Sequence, residues 1–189
     1  MKRSKILTSA IVLLLIAALT FALTACEENG EGDIVEPPPP LMPGEEVSIE
    51  MNAQGIDDAQ LISLIDSGEI PANVTHLRLS ENELTDATPL AGLTELRLLD
   101  VGGNAITDLT QLAELTNLTN LDLWRNGISD ISALSGLTNL TWLRLQNNSI
   151  SDASPLSGLT NLEWADLFLN HITDWSPVDH VEYVQGRPD

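Results

Sequence analysis

A 22-residue period runs through this chain from Val74 to His180, and no other feature restricts its fold as strongly. Asn82, Asn104, Asn126, Asn148 and Asn170 keep the interval, as do Asp86, Asp108, Asp130, Asp152 and Asp174. Apolar residues recur in step: Leu77, Leu99, Leu121, Leu143 and Ala165; Leu79, Val101, Leu123, Leu145 and Leu167; Leu84, Ile106, Ile128, Ile150 and Ile172. Two further rows, Leu90, Leu112, Leu134, Leu156, Val178 and Leu93, Leu115, Leu137, Leu159, Val181, complete the pattern. One copy is too short to enclose a core, so the copies must stack and share one, which is a solenoid.

Within a copy, Leu121 and Leu123 sit two apart around Asp122, the alternation of a strand with one face inward. Successive strands are therefore expected to pair in parallel. The asparagine falls where the chain leaves the strand, and its amide is expected to bond backbone groups of its own coil and the next. The pairs Thr85-Asp86, Thr107-Asp108, Ser129-Asp130, Ser151-Asp152 and Thr173-Asp174 precede short apolar segments, where a side-chain oxygen can cap a short helix or turn. Both rows read as scaffold. Carboxylates one coil apart lack the close spacing of a calcium loop, and no metal or other cofactor is expected.

The wording L-x-x-L-x-L-x-x-N-x-I, then S/T-D, then P-L-x-x-L-T-N-L, resembles the leucine-rich repeat family in its 22-residue form, the kind seen in bacterial internalins. The resemblance covers Val74 to about Val181. It implies an α/β right-handed solenoid with a curved parallel sheet on the concave face, short helices or turns on the convex face, and a helical N-terminal cap. It also implies protein binding through the concave face, with no catalysis by the repeat.

Outside the repeats, residues 1–25 read as a signal peptide: Lys2, Arg3 and Lys5 precede an uncharged run from Ile6 to Ala25. The run is also long enough for a permanent membrane span. Leu23-Thr24-Ala25-Cys26 resembles the lipobox of bacterial lipoproteins, which implies lipidation of Cys26 as the first mature residue. Cys26 is the only cysteine, which excludes an internal disulfide. Residues 26–46 read as an acidic, proline-rich tether in which Pro37 to Pro40 favour a polyproline II segment. Residues 47–73 read as the cap. Val47, Ile49 and Met51 alternate as an edge strand, and Asp57 or Asp58 starts a helix through Ser67 with Ile56, Leu61, Ile62, Leu64 and Ile65 as its apolar stripe. Residues 74–183 hold the five repeats and their closure, and 184–189 form a tail in which Val184 opens a sixth copy that Arg187 interrupts. With no wall-sorting motif after it, the expected anchor is N-terminal.

The formal net charge is −20, and loss of the three basic residues in the signal leaves 5 arginines against 28 acidic residues, a net −23. Such a surface repels phosphate backbones and anionic lipid, so no nucleic-acid partner is expected and membrane contact should come through the acyl chains.

Outward strand positions, and the two preceding each asparagine, hold the candidate site. They are His76, Arg78, Ser80 and Glu81 in the first copy, and Leu98, Asp100, Gly102 and Gly103 in the second. The third supplies Asn120, Asp122, Trp124 and Arg125, the fourth Trp142, Arg144, Gln146 and Asn147, and the fifth Trp164, Asp166, Phe168 and Leu169. Three of the four tryptophans and Phe168 collect here. An exposed aromatic patch marks a binding surface; the alternative is a cross-strand packing ladder. Arg144, between Asp122 and Asp166, suits lateral ion pairs, whereas Arg125 is the freer cation for a partner's carboxylate. The candidate ligand-binding set is therefore Trp124, Arg125, Trp142, Arg144, Trp164, Asp166 and Phe168. His76, His171 and His180 are spread along the repeats with no nucleophile beside them, so no enzyme activity and no catalytic residue are expected. The sequons at Asn73, Asn117, Asn139 and Asn147 follow from repeat wording. The sequence thus points to a monomeric, lipid-anchored, extracytoplasmic module of the bacterial envelope that binds a protein. Glycan binding through the tryptophan-rich patch, or a passive structural role, are the alternatives.

Overall fold

The computed structural model describes residues 46–188. The expected signal peptide, Cys26 and nearly all of the tether lie outside the described residues.

Seven three-residue strands form one open sheet in sequence order: β1 (Ser48–Glu50), β2 (His76–Arg78), β3 (Leu98–Asp100), β4 (Asn120–Asp122), β5 (Trp142–Arg144), β6 (Trp164–Asp166) and β7 (Tyr183–Gln185). All pairs are parallel. From β2 to β6 every residue pairs with the one 22 positions on, His76 with Leu98, then Asn120, Trp142 and Trp164, so the sequence period is the sheet register. The end coils depart from it. Ser48 pairs with His76 across a longer coil that holds helix α1 (Asp58–Asp66), and Trp164 pairs with Tyr183 across a shorter one. Val184 sits beside Ala165, the place that the 22-residue count gives to Arg187, so the last coil closes three residues early and the expected edge of the repeats at 183 runs through β7.

Helix α1 begins at Asp57 with a capping box: the Asp57 side chain accepts from the Gln60 N–H, and the Gln60 side chain accepts from the Asp57 N–H. Leu61 is buried and Leu64 and Ile65 pack partly on the core, but Ile62, expected in the apolar stripe, points to solvent. Its position, one residue beyond Leu61, lies a hundred degrees around the helix.

Opposite the strands, each repeat makes a short 3-10 helix, at Thr88–Leu90, Thr110–Glu114, Ser132–Gly136, Ser154–Gly158 and Ser176–Val178. The aspartate two residues before each accepts from its first N–H at 2.8–3.0 Å. The Thr110 and Ser176 hydroxyls, and then their N–H groups, hold the Asp108 and Asp174 carboxyls below the ordinary range, and the Ser132 and Ser154 N–H groups, and then their hydroxyls, do the same for Asp130 and Asp152.

The inward rows form one continuous core. Along its edge runs the asparagine ladder. Asn126 Nδ2 donates to the carbonyls of Leu123 and Trp124 in its own coil and of Val101 in the coil before, while its Oδ1 accepts from the Ile106 N–H. Asn82, Asn104, Asn148 and Asn170 repeat the arrangement. The amide thus reaches back to the preceding coil rather than forward. The reason is local: the residue before each asparagine, Glu81, Gly103, Arg125, Asn147 or Leu169, turns through the left-handed region with φ between 51° and 67°.

Candidate functional site

The outward face of the sheet is a grid whose columns are strands and whose rows are register positions. The first row reads His76, Leu98, Asn120, Trp142, Trp164, Tyr183, and the second Arg78, Asp100, Asp122, Arg144, Asp166, Gln185.

The first row changes character along the sheet. His76, Leu98 and Asn120 are buried, Trp142 and Trp164 are half-buried, and Tyr183 is 60% exposed. The expectation that all of these positions face solvent therefore fails in the first three coils. His76 and Asn120 turn toward the strand start instead of standing off the sheet. His76 Nδ1 lies 2.9 Å from the Thr75 hydroxyl, and Asn120 Oδ1 accepts from the Thr119 hydroxyl at 2.8 Å. Burial lowers the pKa of His76 and favours its neutral form.

The tryptophans pack in two ways. Trp142 and Trp164 stack with centroids 4.7 Å apart and planes 4° from parallel, the ladder geometry that register alone allows. Trp124 lies back over the neighbouring coil, where Gly102 leaves room: a Cβ at Gly102 would fall 1.9 Å from Trp124 Cδ1. Phe168 and Leu169 extend the apolar surface and are 49% and 56% exposed.

Arg144 is held on several sides. Its guanidinium lies 3.8 Å from both Asp122 and Asp166, donates to Gln146 Oε1 at 2.7 Å, and sits 5.5 Å from the Trp124 ring centroid. The lateral ion pairs expected for Arg144 are present. Arg125 stands at the exposed turn after β4.

Asp166, in the expected ligand-binding set, is buried at 3% exposure. Its Oδ1 folds back to accept from the Phe168 N–H. Asp100 and Asp122 repeat this loop, accepting from Gly102 and Trp124. This recurring aspartate turn was present in the sequence as Asp-Val-Gly, Asp-Leu-Trp and Asp-Leu-Phe, and it is what draws the second-row carboxylates down. Burial, and then the charge of Asp100, push Asp122 up to about 7 despite Arg144. Burial also raises Asp100.

His171 and His180 are exposed, and His180 Nε2 lies 3.0 Å from the Leu159 carbonyl, so the fold does not bring the histidines together. Among the described residues no group of three or more histidine, cysteine or acidic side chains is placed to hold a metal, and no helix is long and apolar enough to cross a membrane.

Comparison with known proteins fits this geometry. The family model for leucine-rich repeats (2 copies) matches residues 72–114 and again 116–158. No protein of curated function matches the sequence. Among solved structures, an internalin (inlF) of Listeria monocytogenes is similar at 27% identity and TM-score 0.55, over 74% of this chain and 47% of that one. The chain thus spans about half the length of that internalin. Internalin C2 of the same organism is similar at 29% identity and TM-score 0.50, over 73% of this chain and 79% of that one. A complex of TLR13 with ssRNA13 is similar at 28% identity and TM-score 0.57, over 70% of this chain but 20% of that one. The fold is a leucine-rich repeat solenoid of internalin-like form.

Proposed function

We propose that this internalin-like leucine-rich repeat chain is a lipid-anchored, extracytoplasmic module that binds a protein through the outward face of its sheet. Leucine-rich repeat domains commonly mediate protein–protein recognition. The observation that carries the reading here is the aromatic and apolar surface on the later coils, where Trp124, Trp142, Trp164 and Phe168 are joined by exposed Leu169 and by Tyr183. Rigid aromatic side chains at the centre of a surface supply most of the binding energy in protein interfaces. Arg125, exposed at its turn, is placed to meet a partner's carboxylate, while Arg144 orients the Trp124 ring.

The excess of acid argues against a nucleic-acid ligand. The RNA in the TLR13 complex belongs to that protein, and this chain's net charge of −20 would repel a phosphate backbone. Anchoring rests on the Leu23-Thr24-Ala25-Cys26 wording after a basic, then apolar, start.

The test is affinity capture from envelope and host-cell extracts with the full chain as bait, wild type beside a Trp124→Ala/Trp164→Ala/Phe168→Ala variant whose folding is checked by circular dichroism. A protein held by the wild type and lost by the variant is expected. Equal capture by both, or capture by neither, refutes the reading. In the same cells, Cys26→Ala should move the chain out of the membrane fraction.

A further inference from the structure

Each of the two rows of the outward face leaves something unmet among the described residues. In the first it is a pair of buried nitrogens without a hydrogen-bond partner, His76 Nε2 and Asn120 Nδ2, both closed off from solvent. In the second it is charge, and that row still meets water.

With β1 included, the second row reads Glu50, Arg78, Asp100, Asp122, Arg144, Asp166, Gln185. Sign alternates along it except at one step, where Asp100 and Asp122 stand on neighbouring strands roughly 4.8 Å apart with no cation between them. Neither flanking arginine corrects that step. Arg78 turns the other way, its Nη1 2.7 Å from Glu50 Oε1. Arg144 lies 3.8 Å from both Asp122 and Asp166 and makes its short bond, 2.7 Å, to Gln146. Its guanidinium is balanced between two carboxylates instead of paired with one.

The carboxylates themselves are fixed. Asp100, Asp122 and Asp166 each give Oδ1 to an N–H two residues on, and the Ser80 hydroxyl also bonds Asp100. Asp122 Oδ2 faces Arg144 Nη1, on a side chain only 15% exposed. Lost water and a like charge alongside both favour a proton there, and they push Asp122 up to about 7. Glu81 and Arg125, at the turns after β2 and β4, are exposed, so their charges are screened from the row.

A proton on Asp122 ends the balance at Arg144. Asp166 is then the carboxylate that holds the guanidinium, which shifts toward β6 and away from the Trp124 ring now 5.5 Å from it. Trp124 rests on Gly102 and is tied to Asp122 through its own N–H, so the ring is coupled to both partners in the exchange.

We propose that the second row is a proton-operated switch within the aromatic face: uptake of one proton at Asp122 draws Arg144 toward Asp166 and frees the Trp124 ring to meet a partner. Its role in recognition rests on the protein-binding reading above. A partner that covers the row removes more of its water and so favours the same protonated form. Binding is then stronger below pH 7 than above it.

The experiment is a titration of the full chain from pH 5 to pH 9, followed by the indole N–H signals in nuclear magnetic resonance, with Trp124→Phe assigning the one that matters. The Trp124 signal should move in a step centred near pH 7. Histidines titrate in the same window, so variants decide the assignment. Asp122→Asn, which keeps the acceptor for the Trp124 N–H, should abolish the step, and Asp100→Asn should lower its midpoint by about one pH unit or more by removing the adjacent charge. No step at Trp124, a step that survives Asp122→Asn, or an unmoved midpoint in Asp100→Asn would overturn the switch. The titration needs no partner, so it stands or falls apart from the protein-binding reading. Capture from the envelope and host-cell extracts, run at pH 6 and pH 8, should retain several-fold more protein at pH 6, with the difference lost in Asp122→Asn. Equal capture at both pH values by the wild type would overturn the regulatory role.

Discussion

The asparagine ladder and the outward strand face run side by side on the same 22-residue period, yet one is identical in every coil and the other differs in all of them. Asn82, Asn104, Asn126, Asn148 and Asn170 each satisfy carbonyls of two coils and an N–H of the preceding one. Their neighbours on the face read Ser80, Gly102, Trp124, Gln146 and Phe168. Backbone geometry repeats, so the residues that complete the backbone must repeat. Face residues answer only to adjacent side chains and to solvent, and there the coils are free to specialise.

The largest test of that contrast is Asn126→Leu. It removes the acceptor of the Ile106 N–H and the donor to three carbonyls in a buried setting, and should cost about 3 kcal/mol or more in urea unfolding. Gln146→Ala on the face should change stability by under about 0.5 kcal/mol. Similar losses for the two would break the comparison.

A smaller effect is expected at Gly102→Ala. The new methyl would fall 1.9 Å from Trp124 Cδ1, so the indole must swing off its neighbour, costing about 1–2 kcal/mol as an overpacked contact. Tryptophan emission should shift to the red as the ring meets water. Unchanged emission would show that Trp124 does not rest on Gly102.

A pH-dependent effect separates the aspartates on the two sides of the coil. A carboxyl whose folded-state pKa lies above its unfolded value favours the folded state while protonated. Asp122, at about 7, therefore supports the fold at and below pH 4 and loses that support as pH rises through 7. Asp122→Asn should raise stability at pH 8 and change it little at pH 4. Asp108, Asp130, Asp152 and Asp174, with lowered pKa values, act oppositely, their support present above the unfolded value near 4 and lost in acid. Equal gains from Asp122→Asn at both pH values would show that its carboxyl is not held apart from the others.

Much of the molecule was legible before any coordinates. An unbroken period leaves one way to bury five sets of leucines, so parallel pairing, register, the scaffold role of both polar rows and the row neighbours of Trp142 and Arg144 all followed from counting. Counting could not say which way a side chain turns once register has set its neighbours. That Trp124 lies on Gly102, that Asp166 folds onto the Phe168 N–H, and that His76 and Asn120 drop toward threonine hydroxyls are outcomes of space and hydrogen bonding between residues a coil apart or on the same turn. The raised pKa of Asp122 belongs with them, because it depends on how much water reaches the carboxyl. The sequence by itself determined where every residue from β2 to β6 stands in the grid, since burial of the leucines admits a single register there, while the two end strands lie off the period. Only the tertiary structure decided which side chains stand off the sheet and which are left buried with an unmet bond, since that depends on the packing of neighbours that the period brings together but does not choose.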